Sequence, residues 1–354
     1  MSTPAALEQD RPAAAGETVL KVEDLQVQFP TADGLVNAVN GLSYHVELGK
    51  TLAIVGESGS GKSVSSMAVM GLHDPKRTRM SGSIEVDGTE LIGASQATIR
   101  KMRSRTVSMI FQDPQSSFHP FKKIGWQIAE AYLVHHKVSK KVAMERAVDM
   151  LDRVGIPNPK RRANQYPHEF SGGMRQRAMI ALGLVNNPKL LIADEPTTAL
   201  DVTVQAQILE LLADLQEDFG SAIVLITHDL AVVSEVADDV MVMYGGRAVE
   251  YGTAHDVLVN PRHPYTWGLL GSIPKLSAQG SDLRPIRGLP PSLINLPTGC
   301  SFHPRCDFQE RVGEPCIKTL PGLEPREPGS ARLSRCHLPE PAEIFESEIA
   351  QTLE

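Results

Sequence analysis

Several features are scarce in this chain of 354 residues. No apolar run approaches the roughly 20 residues that a membrane-spanning helix needs. The first sixteen residues lack a positively charged start followed by an apolar segment, so we expect no secretory signal. General basicity is missing as well, because the formal net charge is −7. That balance argues against binding to nucleic acid through bulk positive charge. We therefore expect a globular cytosolic chain, or one held at the cytosolic face of a membrane by a partner.

Cysteine is absent from the first 299 residues and then occurs four times, at Cys300, Cys306, Cys316 and Cys336. A cytosolic protein makes little use of disulfides, so this clustering indicates metal or redox chemistry. The spacing C-x5-C-x9-C-x19-C lacks the C-x2-C pairs of structural zinc sites. Thiolates alone on irregular backbone suit a [4Fe–4S] cluster. Zinc, with His303 or His337 as a further ligand, and unliganded thiols are the alternatives.

The sequence pattern changes several times along the chain. Residues 1–18 are rich in Ala, Pro, Glu and Thr without apolar periodicity, which predicts a disordered tail. Short β-rich runs follow from Val19, and Asp87-Gly88 indicates a hairpin, so an antiparallel layer is expected. Residues 115–170 have helical spacing with charged faces, which predicts a helical subdomain. The apolar runs Lys189–Ala193 and Ala222–Thr227 are typical of buried parallel strands.

The region after residue 260 differs from everything before it, because 14 of the 25 prolines lie there. Proline at this density excludes long helices and sheet interiors. The predicted division is an α/β domain over 19–262, an irregular Cys- and Pro-rich region over 263–340, and an acidic tail over 341–354. A region this irregular has little core of its own, so we expect the cysteines to stabilise it.

A phosphate-binding loop is the clearest chemical motif. Gly56-Glu57-Ser58-Gly59-Ser60-Gly61-Lys62-Ser63 matches G-x-x-x-x-G-K-[ST] and lies between an apolar strand and a helical run. Glycines allow backbone N–H groups to close around phosphate oxygens, and the new helix adds positive potential. We expect Gly56, Ser58, Gly59, Ser60 and Gly61 to form the cradle. Lys62 would reach the terminal phosphates, and the Ser63 hydroxyl would bind Mg²⁺.

Two further strand ends carry polar residues suited to the same chemistry. Leu190 to Ala193 precede Asp194 and Glu195, which predicts a Mg²⁺ ligand followed by a base that orients water. Ile226-Thr227 precede His228, which would contact the γ-phosphate. No Asn-Lys-x-Asp guanine motif is present, so ATP is the expected nucleotide.

These residues resemble the ATP-binding cassettes of ABC ATPases. Phe170-Ser171-Gly172-Gly173 looks like the family's signature, although Met174 stands where glutamine is usual. Gln112 in Phe111-Gln112-Asp113-Pro114 and Asp201 in Ala199-Leu200-Asp201 resemble two further landmarks. The landmarks occur in the family's order over residues 19 to about 255. The resemblance implies an α/β P-loop (RecA-like) nucleotide-binding domain with an antiparallel β subdomain and a helical subdomain.

The resemblance also implies roles for these residues. Glu195, His228 and Gln112 would be catalytic, while Lys62, Ser63 and Asp194 would hold Mg-ATP, with Gln112 as a further Mg²⁺ ligand. Phe29 would stack on adenine, although a core strand position is its alternative. Ser171, Gly172 and Gly173 would close over the ATP of a partner cassette, and Asp201 would lie at the dimer interface. Two nucleotides would then be buried between two head-to-tail cassettes.

The C-terminal motifs narrow the resemblance further. His263-Pro264-Tyr265-Thr266, Gly288-Leu289-Pro290-Pro291 and Pro304-Arg305-Cys306 look like the tail of the dipeptide and oligopeptide importer ATPases. The resemblance implies a peripheral subunit on the cytoplasmic face of the cell membrane, a second and different ATPase subunit, two integral membrane permease subunits and an extracytoplasmic solute-binding protein. Some members of this subfamily have a similar arrangement of four cysteines. A nickel or glutathione importer, and a soluble ABC ATPase acting on nucleic acid, are the alternatives; no nucleic acid partner is expected.

Overall fold

A computed structural model describes residues 16–113, 117–198, 200–272, 285–326 and 330–353 of the chain. Most of the tail predicted over 1–18 lies outside these ranges. Pro114 and Ala199, which belong to motifs singled out above, lie outside them as well.

The described strands form two sheets. In chain order they are β1 (Thr18–Thr31), β2 (Gly34–Glu47), β3 (Thr51–Val55), β4 (Arg79–Val86), β5 (Thr89–Glu90), β6 (Val107–Ile110), β7 (Leu190–Asp194), β8 (Ala222–Thr227), β9 (Asp239–Tyr244), β10 (Arg247–Thr253), β11 (Glu324–Pro325) and β12 (Leu333–Ser334).

The described α-helices lie between and after these strands. They are α1 (Lys62–Val69), α2 (Gln96–Met102), α3 (Ile124–His135), α4 (Lys140–Arg153), α5 (Pro159–Arg162), α6 (Gly172–Leu184), α7 (Val202–Phe219), α8 (Leu230–Val236), α9 (Ala254–Val259), α10 (Pro264–Gly271), α11 (Gln309–Val312), α12 (Glu314–Lys318), α13 (Pro341–Ile344) and α14 (Ala350–Leu353). Short 3₁₀ turns occur at Pro167–Glu169 and His303–Arg305, and Phe345–Ile349 is π-helical.

The first sheet is antiparallel, with strand order β2-β1-β4-β5. The short runs of the sequence merge here into two strands of 14 residues each, β1 and β2. Shifts in their register around Asp24 interrupt the alternation of buried and exposed side chains, which is why the sequence pattern looked broken. The hairpin predicted at Asp87-Gly88 is confirmed, since both residues have positive φ and Val86 pairs with Thr89.

The second sheet has the order β11-β12-β10-β9-β3-β8-β7-β6. Strands β9, β3, β8, β7 and β6 are parallel to one another, whereas β10, β12 and β11 continue the sheet in antiparallel fashion. All residues of β3, β7 and β8 are buried, as expected for parallel strands covered on both faces. Parallel strands end at a common edge, so the segments that follow β3, β6, β7 and β8 lie close together.

Helices α3, α4 and α6 form the helical layer beside this sheet. Their apolar side chains share one cluster, which includes Ile128, Ala147 and Ile180, and Leu212 of α7 belongs to the same cluster. The helical spacing of Ile128–Val138 and Val142–Val154 predicts the first two helices with starts that are four and two residues too late. Ser139 caps α4 by accepting a hydrogen bond from the Val142 N–H, so the helix begins at Lys140.

The C-terminal region shares its core with the preceding domain. Tyr265 and Phe302 are buried against Val55 and Val242 of the central sheet, in one apolar cluster. A second cluster consists of Trp267, Cys336, Leu338 and Phe345. Strand β12 pairs with β10, so the tail also extends the central sheet. Among the described residues, no helix is long and apolar enough to cross a membrane.

Candidate nucleotide site

The loop between β3 and α1 requires glycine at its two ends. Gly56 has φ of +151° and Gly61 has φ of +101°. A Cβ atom on Gly56 would lie 2.2 Å from the Met243 carbonyl oxygen, and one on Gly61 would lie 2.3 Å from the Ala38 carbonyl oxygen. Both distances are too short for any side chain. The loop is therefore packed tightly against the backbone of two neighbouring strands, with its N–H groups at the start of α1.

Lys62 and Ser60 place polar groups inside this loop. The Lys62 side chain is buried, and its Nζ donates to the carbonyl oxygens of Gly56 at 2.7 Å and Glu57 at 3.0 Å. Burial lowers the pKa of Lys62, while the nearby carboxylates of Glu195, Asp194 and Glu57 raise it. Ser60 Oγ is buried and has no hydrogen-bond partner among the described residues. A buried cation and an unsatisfied hydroxyl fit an anionic phosphate ligand.

Ser63 and Asp194 form an oxygen pair beside the loop. The Ser63 hydroxyl donates to Asp194 Oδ1 at 3.0 Å. Asp194 ends β7 and is only 6% exposed. Burial raises its pKa, although the hydrogen bond from Ser63 lowers it. A desolvated carboxylate next to a hydroxyl is a donor set that suits Mg²⁺, and a cation there would favour the ionised form.

Glu195 is surrounded by polar groups from two other strand ends and from its own turn. Gln112 Nε2 donates to Glu195 Oε2 at 2.9 Å, and Thr198 Oγ1 donates to the same atom at 2.8 Å. His228 Nδ1 lies 3.5 Å from Glu195 Oε1. The hydrogen bond from Gln112 uses its amide nitrogen, not the amide oxygen that would bind Mg²⁺.

The backbone of Glu195 is itself unusual. Its φ is +48°, in the left-handed region that non-glycine residues rarely adopt. Its N–H donates to the Ile226 carbonyl oxygen of β8 at 2.9 Å. This link ties the turn after β7 to the neighbouring strand, and so fixes where the carboxylate lies. Strain of this kind concentrates at functional sites.

The residues of the signature and of the Asp201 turn lie outside the group formed by the phosphate loop and Glu195. Ser171 is exposed and caps α6 by accepting from the Met174 N–H at 3.3 Å. Gly172 is exposed too, and a Cβ on Gly173 would lie 3.1 Å from Val204 Cγ1. Asp201 is exposed and caps α7 by accepting from the Val204 N–H. Among the described residues, no hydrogen bond joins this group to the phosphate loop.

Phe29 and Met174 have surroundings that differ from those of the polar site. Phe29 is half-buried near the end of β1 and packs against the core, with its ring edge-on to the His73 ring at 5.5 Å. Met174 packs against the apolar cluster of the helical layer. The apolar side chain at this position of the signature therefore has an apolar environment.

The arrangement of the four cysteines does not support the predicted [4Fe–4S] site. Among the described residues, no group of three or more His, Cys, Asp or Glu side chains is arranged to hold a metal ion. All four thiols are free. Cys300 and Cys306 pack against the cluster of Phe302, whereas Cys336 belongs to the cluster of Trp267. The donor chemistry is right, but the structure does not support the cluster.

Burial also weakens the acidity of all four thiols. It raises the pKa of Cys300, and it raises those of Cys306 and Cys336 to about 12 and that of Cys316 to about 11, with smaller contributions from neighbouring thiols. The two histidines considered for zinc contact backbone: His303 Nδ1 lies 2.9 Å from the Cys300 carbonyl oxygen, and His337 Nε2 lies 2.8 Å from the Thr319 carbonyl oxygen.

Sequence reasoning missed two features of the site. Thr198 and Gln112 both donate hydrogen bonds to Glu195 Oε2. In the sequence, only the position of Thr198 three residues after the glutamate could have indicated its contact. Glu57 pairs with Arg305, which is 248 residues away. No spacing rule in a single sequence connects two such residues.

The family models match two parts of the chain. Residues 39–198 match the ABC transporter family, and residues 249–312 match the C-terminal region of oligopeptide/dipeptide transporters. The oligopeptide transport ATP-binding protein OppD of Escherichia coli is 49% identical over 91% of this chain and 94% of its own length. The chain belongs to this family of ABC transporter ATP-binding proteins. OppD of Bacillus subtilis is 52% identical over 83% of each chain, and its dipeptide counterpart DppD is 50% identical over 86% of this chain and 91% of its own.

Solved ABC cassettes share the fold. A bacterial ABC transporter cassette solved as a dimer superposes with a TM-score of 0.60 at 25% identity, covering 66% of this chain and 98% of that one. Clostridium perfringens cbiO1, part of the ABC transporter complex cbiONQ, superposes with a TM-score of 0.57 at 30% identity, over 69% of this chain and 91% of its own. The α/β nucleotide-binding fold predicted from the sequence is therefore confirmed, and with it an ABC ATPase that uses ATP and Mg²⁺.

Proposed function

We propose that this protein hydrolyses ATP to power the import of dipeptides or oligopeptides through a separate membrane permease. The observation that carries the proposal is the grouping of Gln112, Asp194, Glu195 and His228 beside the phosphate loop, in a chain that resembles OppD over nearly its whole length. Peptide as the solute follows from the names of the relatives and from the C-terminal family match.

Each residue has a proposed part in hydrolysis. The loop amides from Gly56 to Gly61 and the Lys62 ammonium bind the phosphates, which requires Lys62 to leave the two carbonyl oxygens it now contacts. Ser63 and Asp194 would hold Mg²⁺, which would neutralise charge on the phosphates. Glu195 accepts a proton from the attacking water, while Gln112, Thr198 and His228 hold its carboxylate in place.

A second cassette completes the site in this proposal. The exposed N-terminus of α6, with Ser171, Gly172 and Gly173, supplies amides for the γ-phosphate bound by a partner cassette. Asp201 lies at the contact between the two. A dimer is supported by the solved dimeric cassette of the same fold. We propose a heterodimer with a different ATPase subunit, and Phe29 as the residue that stacks on adenine.

The membrane partners follow from the same proposal. Two integral membrane permease subunits would dock on the helical layer, where Phe121 is 84% exposed and Phe111 is 40% exposed beside Gln112. An extracytoplasmic solute-binding protein would deliver peptide to the complex. The chain would therefore be peripheral on the cytoplasmic face of the membrane. Its division into a cassette (19–262), an importer-type C-terminal region (263–340) and an acidic tail (341–354) is part of the proposal.

No step of the proposal passes through the four cysteines. Iron and sulfide analysis of anaerobically purified protein tests the sequence-based prediction directly. About four irons per chain would restore the cluster. About one zinc per chain, or no metal, would contradict the cluster prediction and leave the ATPase proposal unchanged.

Reconstitution tests the proposed function. The complex of this chain with its co-purifying permease and ATPase subunits is placed in lipid vesicles with the solute-binding protein, and phosphate release is followed. Peptides should stimulate hydrolysis, and Lys62→Ala should abolish it. Stimulation by nickel or glutathione instead of peptides would contradict the solute. Stimulation by DNA without any membrane partner would contradict the transport function.

A further inference from the structure

Glu57 ties the phosphate loop to the C-terminal region. Its carboxylate receives two hydrogen bonds from Arg305, at 2.6 Å from Nη1 and 3.0 Å from Nη2. Its backbone N–H donates to the Tyr265 hydroxyl at 2.8 Å. Arg305 and Tyr265 both follow residue 262, so one loop residue is held by two residues of the C-terminal region.

The Arg305 guanidinium is oriented before it reaches Glu57. Its Nε donates to the Arg287 carbonyl oxygen at 2.8 Å, and Nη1 lies 3.3 Å from the Tyr244 hydroxyl. The Tyr244 and Phe302 rings lie beneath it at 5.7 and 6.0 Å. Arg305 is 5% exposed, so water screens the pair poorly on this side. A bidentate pair in a buried, fixed geometry is stronger than a surface ion pair.

Glu57 also lies close to the position of the phosphates. It is the second residue of the loop, and its carbonyl oxygen accepts a hydrogen bond from Lys62 Nζ. The carboxylate is near enough to Lys62 to stabilise the ammonium. An unpaired carboxylate at this position would repel an incoming triphosphate, because like charges at short range oppose each other.

We propose that Arg305 is a positioning residue for the nucleotide: by pairing with Glu57 it cancels a negative charge beside the phosphate site and anchors the loop. The affinity of the phosphate loop for ATP then depends on the docked C-terminal region. This inference rests on the proposed function, since it takes Mg-ATP as the ligand of the loop.

The experiment tests whether the Arg305–Glu57 pair acts by cancelling charge beside the nucleotide or only by holding the C-terminal region to the loop. Mg-ATP binding to the full-length protein is measured by calorimetry for the wild type, Arg305→Met, Glu57→Gln and the double variant. Arg305→Met should weaken binding about tenfold at low salt, because Glu57 is left unpaired beside the phosphates. The double variant should bind within about threefold of the wild type, because no net charge remains there.

The Glu57→Gln variant and a matched control complete the design. Glu57→Gln alone leaves Arg305 as an excess cation, so binding should become about threefold tighter and more sensitive to salt. This variant keeps the inference testable if Arg305→Met does not fold. Arg332→Ala removes another arginine that joins the C-terminal region to the cassette, through the Asp256 carboxylate at 3.4 Å. It should lower the melting temperature and leave ATP affinity unchanged.

Two outcomes overturn the inference. Unchanged ATP affinity in Arg305→Met and Glu57→Gln would show that the pair has no influence on the nucleotide. A double variant that binds Mg-ATP as weakly as Arg305→Met would show that the pair acts only by holding the structure together, and not by cancelling charge. Failure of the wild-type protein to bind Mg-ATP would instead overturn the proposed function, so the two failures are distinguishable.

Discussion

Replacing Glu195 by glutamine removes the proposed base with little change in shape. Glu195 Oε2 accepts from Gln112 Nε2 and Thr198 Oγ1, and Oε1 faces His228 Nδ1. In Glu195→Gln, an amide oxygen at the Oε2 position keeps both donors, and the amide NH₂ takes the position of Oε1. Both hydrogen bonds survive, so we expect folding and ATP binding to be unchanged.

Only the ability to accept a proton is lost. General bases contribute about 10²- to 10⁴-fold to rate, which corresponds to about 3–5 kcal/mol of barrier. Turnover should therefore fall at least about 100-fold, while ATP holds the cassettes in a closed dimer. Phosphate release by the reconstituted complex and light scattering of the cassettes measure the two effects.

Glu210→Gln is the matched control for this prediction. It removes the same charge from an exposed position on α7, and it should leave turnover unaffected. Glu195→Gln turnover within about twofold of the wild type, a difference worth less than about 0.5 kcal/mol of barrier, would refute the assignment of Glu195 as the base.

Three further predictions concern the loop, the C-terminal core and pH. Gly61→Ala should weaken ATP binding about tenfold or more, because its Cβ would lie 2.3 Å from the Ala38 carbonyl oxygen. Gly88→Ala is the control, since Gly88 also has positive φ but a Cβ there would meet no atom within 4 Å. Equal ATP affinities of the two variants would contradict the prediction. Phe302→Ala should lower the free energy of unfolding by about 3–5 kcal/mol in urea titrations, because its ring packs on Tyr244, Tyr265 and His263; Leu289→Ala, at a position 87% exposed, should cost less than about 0.5 kcal/mol. Burial raises the pKa of Glu250 from 4.5 to about 7, so between these values the unfolded state binds fewer protons and stability falls as pH rises. Glu250→Gln should remove this pH dependence, so its free energy of unfolding should rise by roughly 3 kcal/mol relative to that of the wild type between pH 4.5 and 7.5. Unfolding free energies that change with pH in the same way in both proteins would contradict this prediction.

Local motifs explain why much of the site was predictable. The phosphate loop needs glycines, a lysine and a serine within eight consecutive residues, so its chemistry is contained in one segment. Asp194, Glu195 and His228 were predictable because buried parallel strands end at one edge and deliver whatever follows them to the same place. The hairpin at Asp87-Gly88 is specified by two residues that tolerate positive φ.

Tertiary geometry decides the features that were not predictable. The pairing of Glu57 with Arg305 depends on how the C-terminal region docks on β3 and β9. The cysteine prediction relied on spacing and residue type, whereas the arrangement of the four thiols depends on how the C-terminal region packs. Strands β1 and β2 looked like several short strands, because irregular register interrupts the period of two on which a strand prediction depends.

The pairing of β12 with β10 has a consequence for shortened versions of the chain. Strand β10 pairs on one side with β9, the last of the parallel strands, and on the other with the two residues of β12, so removal of residues 321–354 would leave the N–H and C=O groups around Glu250 and Tyr251 open. An uncovered edge of this kind is a template for pairing with another molecule. In the full chain the outermost strand is only two residues long and contains Pro325, which has no N–H to offer. We therefore expect residues 321–354 to limit self-association, and truncation should yield aggregates before it yields a minimal cassette.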